Sequence, residues 1–154
     1  MSSSSDRFDD YSQLLELVAF AVRKEAEAAE FYRSLSAQLE SPEVRDEIGK
    51  LATMEDRHRD RLERLNIAES ASKATSGTGR LNLSDYETPG SPGADLSRRQ
   101  LLEIAIGREV AAWKLYSDMA NLFPDSMMKQ LLENLAAEEA VHRQYLEKLV
   151  RSEG

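Results

Sequence analysis

Two tetrapeptides, Glu55-Asp-Arg-His58 and Glu139-Ala-Val-His142, set a carboxylate and an imidazole three residues apart. On a helix that spacing puts both side chains on one face, about one turn apart. One such carboxylate can bridge two metal ions while its histidine binds one of them. A single Glu-x-x-His says little in a glutamate-rich chain, but both histidines of this chain carry it. Two further glutamates, Glu25 and Glu109, interrupt segments that are otherwise apolar at helical spacing. Oxygen and imidazole donors in this mixture suit iron, with manganese as the other candidate. Cysteine is absent, which removes thiolate metal sites, thiol redox chemistry and disulfides together.

The elements that position these residues follow from apolar periodicity. The first helix turns Leu14, Leu17, Ala21, Glu25, Ala28, Tyr32 and Leu35 inward, and the second Val44, Ile48, Leu51, Glu55, His58 and Leu62. The third turns in Leu101, Ala105, Glu109, Ala112, Tyr116 and Met119, and the fourth Leu132, Leu135, Glu139, His142 and Leu146. Ser41-Pro42 reads as an N-cap with proline at the first helical position. Phe123-Pro124-Asp125 marks a second break, and Ser97 with Gln100 a capping box. The spacing predicts helices over 11–39, 42–68, 97–122 and 125–151, preceded by a disordered Ser- and Asp-rich tail at 1–10. Residues 70–94, with Thr75-Ser76-Gly77-Thr78-Gly79, Pro89-Gly90 and Pro92-Gly93, read as a long crossover loop that Leu81, Leu83 and Tyr86 could pin to the bundle. The fold class is therefore all-α, an antiparallel four-helix bundle over 11–152 with its long crossover between helices two and three.

Shifting the first helical pair by 84 positions aligns Glu25 with Glu109, Tyr32 with Tyr116, Glu55 with Glu139 and His58 with His142, without a gap. One helical hairpin is used twice. Six ionisable groups then lie where a core belongs, and no Lys or Arg shares their seams. Burying such charges uncompensated costs at least several kcal/mol each, or forces protonation. Two divalent ions supply the missing charge; a metal-free bundle is the competing reading. Tyr32 and Tyr116 are open between core packing and hydrogen bonding to the site. Trp113 reads as packing, and Arg57, Arg59, Arg61 and Arg64 as a solvated face.

The motifs Glu25-Ala-Glu-Ala-Ala-Glu-Phe-Tyr32, Glu55-Asp-Arg-His58, Glu109 to Tyr116 and Glu139-Ala-Val-His142 resemble those of the ferritin-like superfamily, and within it the rubrerythrin family. The resemblance covers both hairpins. It implies that Glu55 and Glu139 bridge two irons, that Glu25 and Glu109 are terminal ligands, and that His58 and His142 bind one iron each. Rubrerythrins also carry a carboxylate one turn after the third-helix ligand, where this chain has Ala112, so the implied set is the plain six-ligand one. A cysteine-bound rubredoxin domain is excluded by composition, so electrons are expected from an external donor protein. The short fifth helix of cage-forming ferritins is missing after helix four, and no storage cage is expected. A homodimer is the family expectation.

Composition narrows the partners. With 28 acids against 20 bases the net charge is -8, which disfavours nucleic acid and anionic membranes. The N-terminus lacks the apolar core of a secretory signal, and no apolar stretch is long enough to span a bilayer. A cytoplasmic protein is expected. The leading functional expectation is an oxidoreductase that reduces hydrogen peroxide or dioxygen at a di-iron centre. Iron oxidation for storage or delivery is the second, and a metal-free helical interaction scaffold the third.

Overall fold

The computed structural model describes residues 4–72, 81–88 and 95–153. Among them, α1 (Ser4–Gln38) pairs with α2 (Pro42–Glu63), and α4 (Arg98–Ala120) with α5 (Met127–Glu153). Between the pairs lie the short α3 (Ile67–Ser72), packed on α1, and a single 3-10 turn at Leu83–Tyr86. The result is an all-helical bundle of two hairpins, as the periodicity predicts. No described helix is long and apolar enough to cross a membrane.

The caps sit where the sequence puts them. Ser41 Oγ accepts from the Val44 amide at 3.4 Å, with Pro42 at the first helical position. Ser97 and Gln100 exchange side-chain and backbone hydrogen bonds at 3.1 and 2.8 Å, a complete capping box. At the second break Ser126 Oγ accepts from the Lys129 amide at 3.2 Å, so α5 opens two residues later than expected.

Larger differences from the sequence reading lie in the first half of the chain and in the crossover. The first helix begins at Ser4, so residues 4–10 of the expected disordered tail are helical. The second helix stops at Glu63, and Asn66 restarts it as α3 by accepting the Glu69 amide at 3.0 Å. The region expected as a bare loop thus contains helix at 70–72 and the 3-10 turn. Thr75 to Gly79, Pro89-Gly90 and Pro92-Gly93 lie outside the described residues. The anchors of the crossover do meet the bundle: Tyr86 is buried, and Leu81 and Leu83 pack half-buried on the same core cluster.

Apolar packing is split into two clusters. One gathers Leu14, Leu17, Leu62, Met119, Leu132 and Leu135. The other gathers Leu35, Leu39, Ile48, Leu102, Ala105 and Leu146. Both clusters mix side chains from the two hairpins, so apolar burial drives their association. Trp113, expected to pack, is 43 % exposed on the outer side of α4. The core does without it because Leu115, Tyr116 and Met119 already fill the inward face of that helix.

Candidate metal centre

Each long helix contributes its ionisable residues from the middle of its buried seam: Glu25 from α1, Glu55 and His58 from α2, Glu109 from α4, Glu139 and His142 from α5. All six are between 1 and 3 % exposed. They form two overlapping quartets, Glu25, Glu55, His58, Glu139 and Glu55, Glu109, Glu139, His142. Within each quartet one donor atom per residue lies within 4.8 Å of all the others. Glu55 and Glu139 belong to both, which is the placement a bridging carboxylate needs. Each quartet is completed by one hairpin's own pair, Glu25 with His58 or Glu109 with His142.

The two halves match closely. His58 Nδ1 lies 3.0 Å from Glu139 Oε1, and His142 Nδ1 lies 3.2 Å from Glu55 Oε1, so each imidazole faces the other hairpin's central glutamate. The rings are nearly parallel, 12° apart, with centroids 6.0 Å apart. Tyr32 donates to Glu109 Oε1 and Tyr116 donates to Glu25 Oε1, each at 2.5 Å. Each tyrosine therefore serves the carboxylate of the opposite hairpin, and of the two open readings for this pair the structure has hydrogen bonding. Burial, and then the Glu109 charge for Tyr32 or the Glu25 charge for Tyr116, pushes both phenols well above their ordinary range, so they remain donors.

What remains unsatisfied identifies the chemistry. Glu25 Oε2, Glu55 Oε1, Glu109 Oε2, Glu139 Oε1 and the Nδ1 atoms of His58 and His142 are all buried without a hydrogen-bond partner. Buried polar atoms are nearly always paired, and six orphans converging on one layer is the environment of a missing cation. Burial, and then the neighbouring carboxylates, raises Glu55 and Glu139 well above the usual carboxylate range. Without cations this layer takes up protons. With two divalent ions, four carboxylates are neutralised charge for charge. The donor set therefore fits a pair of metals bound through carboxylate and imidazole.

A cavity of about 30 Å³ reaches this layer between α1 and α4, touching Glu25, Glu55, Glu109 and Glu139. It exists because Ala28 and Ala112, one turn beyond Glu25 and Glu109, leave room. Its other lining includes Lys24 and Arg108, with Tyr86 and Thr88 from the crossover. Lys24 bonds Thr88 Oγ1 at 3.3 Å and ion-pairs with Glu87, while Tyr86 donates to Asp118 Oδ2 at 2.7 Å. The crossover thus straps one side of the site.

Sequence reasoning passed over three of these residues. Lys24 and Arg108 are repeat mates directly preceding Glu25 and Glu109, a signal the alignment of the hairpins contains. Glu138, beside Glu139, lies 3.1 Å from His58 Nε2 and accepts from Arg61 Nη1 at 2.9 Å. Arg61 is thereby tied to the site, whereas the sequence reading leaves it on a solvated face. Burial works against a charged His58, but Glu25 and Glu138 outweigh it and raise its pKa.

Comparison with known proteins agrees with this geometry. The family model described as Rubrerythrin matches residues 16–80, the first hairpin and part of the crossover. The chain is thus an all-helical bundle whose first hairpin is similar to the rubrerythrin family, and its buried Glu/His layer is a candidate dimetal carboxylate site. Among solved structures, a hypothetical protein from Pyrococcus furiosus shares 22 % identity at a TM-score of 0.72, covering 90 % of this chain and 88 % of that one. A wild-type manganese catalase, KatB, from Anabaena shares 21 % identity at a TM-score of 0.67, covering 99 % of this chain and 74 % of that one. No curated protein sequence matches.

Proposed function

We propose that this protein is an oxidoreductase that consumes hydrogen peroxide at a pair of redox-active metal ions. Glu25 and His58 would hold one ion and Glu109 and His142 the other, with Glu55 and Glu139 available to both. The observation that carries this reading is the set of six buried, unpartnered donor atoms converging from four helices. A redox-active pair bound there would supply the two electrons that, with two protons, convert one peroxide to two waters. Tyr32 and Tyr116 hold the terminal carboxylates in place from behind. The cavity beside the glutamates has room for a molecule about the size of one or two waters, which suits hydrogen peroxide. The Anabaena protein of similar fold is a manganese catalase, which supports peroxide as substrate and makes manganese an alternative to iron. Sustained reduction draws its electrons from a separate donor protein; disproportionation of peroxide needs none.

Metal analysis and stopped-flow spectroscopy test this together. The reconstituted protein is expected to hold two ions per chain, and Glu55→Ala or His142→Ala fewer than two. The reduced, loaded protein is expected to oxidise rapidly with hydrogen peroxide and slowly with dioxygen. Fast dioxygen use with many irons accumulating per chain would instead mark iron oxidation for storage, and a protein that binds no metal would leave only a scaffold.

A further inference from the structure

We propose that the two metal positions are inequivalent, and that Glu138 makes the position served by His58 the tighter of the two. This rests on the two-metal reading above. The ligands themselves give no reason for a difference, because every one of them has a repeat mate 84 residues away in matching geometry. The difference lies behind the imidazoles. With Nδ1 turned toward the carboxylate layer, His58 presents Nε2 to Glu138 Oε2 at 3.1 Å. That oxygen is held in turn by Arg61 at 2.9 Å. His142 turns Nδ1 inward in the same way, but its Nε2 is buried with no hydrogen-bond partner among the described residues.

The repeat explains the asymmetry. Subtracting 84 from Glu138 gives Met54, and adding 84 to Arg61 gives Tyr145. Neither residue of the His58 brace has a counterpart of its kind behind His142. A metal bound at Nδ1 draws electron density from the ring and makes the Nε2–H more acidic. A carboxylate accepting that hydrogen offsets the loss, fixes the tautomer and locks the ring plane, so the imidazole becomes a stronger and better-aimed donor. Among the described residues, none does this for His142. Glu138 is a positioning residue: it acts on the metal through His58. Partners of this type change metal affinity by roughly 10–100-fold, so the His58 position fills first.

Calorimetric titration of the stripped full chain with Co(II), followed in parallel by visible absorption, tests the inference. The wild type is expected to bind two ions in two steps separated by about tenfold or more. Glu138→Met, which copies the repeat mate, is expected to weaken the first step by roughly 10–100-fold, leave the second in place and merge the two. Glu138→Gln, which keeps an acceptor oxygen without its charge, falls between. Met54→Glu is expected to tighten the second step, and circular dichroism of each stripped variant checks that it folds. Two ions bound in a single step by the wild type would overturn the inequivalence, and two steps that Glu138→Met and Glu138→Gln leave unmoved would overturn the role of Glu138; either result leaves the two-metal site standing. No Co(II) bound at all would overturn both.

Discussion

The two hairpins agree where they face each other and differ where they face away. Inward, Glu25 and Glu109, Tyr32 and Tyr116, Ala28 and Ala112, and both Glu-x-x-His pairs occupy matching places. Outward, Met54 stands against Glu138, Arg61 against Tyr145, and Ser34 against Asp118, the residue that receives Tyr86. A shared layer accounts for the agreement. Each inward residue is bonded or aimed across the interface, so changing one leaves a buried partner unsatisfied in the other hairpin. The outward positions are only partly enclosed, and there the copies are free to diverge.

Stripping the metals probes the shared layer and is expected to have the largest effect. An ion present at about 1,000 times its dissociation constant stabilises the fold by about 4 kcal/mol. The sign with pH also separates the two states. Because Glu55 and Glu139 titrate higher in the folded chain than their ordinary 4.5, their contribution to the stripped protein is fully present below that value and lost as pH rises through the folded value. The stripped chain is expected to melt at a lower temperature at about pH 8 than at about pH 5, and the loaded chain the reverse, since protons compete with the metal. Thermal unfolding with and without chelator across that range checks both slopes.

The tyrosine pair sharpens the comparison. Tyr32→Phe and Tyr116→Phe each remove one hydrogen bond to a buried carboxylate, worth about 1.5–3 kcal/mol. Because each bond crosses to the opposite hairpin, the two losses are expected to agree within about 0.5 kcal/mol by urea unfolding. A clear inequality would show that the twofold match of the inner layer is superficial.

The smallest effect is expected at the strap. Tyr86→Phe removes the bond to Asp118 but keeps the buried ring, at a cost of about 1 kcal/mol. The crossover should loosen without unfolding the bundle, seen as faster amide hydrogen exchange at 83–88 with that of α2 and α5 unchanged.

Much of this was legible before any coordinates. A helix repeats every 3.6 residues, so the apolar seam and the charges that interrupt it can be read from spacing alone. That is why Glu25, Glu55, His58, Glu109, Glu139 and His142 can be picked from the chain and are all found buried in one layer. Caps are as local: Ser41-Pro42 and Ser97 with Gln100 need only neighbours a turn away. Boundaries were less legible where helix propensity is indifferent, as at Ser4–Asp10 and Ile67–Ser72.

The amino-acid order by itself determined the helices, their inward faces, the doubled hairpin and the donor set, because each of these depends on residues within a few turns of one another. Only the tertiary structure decided that Tyr32 meets Glu109, that Glu138 stands behind His58 while His142 Nε2 finds no hydrogen-bond partner among the described residues, and that the crossover closes over Lys24. Those neighbours lie 63 to 80 positions apart, and their meeting depends on how one hairpin is rotated and slid against the other, which apolar packing around the whole bundle sets.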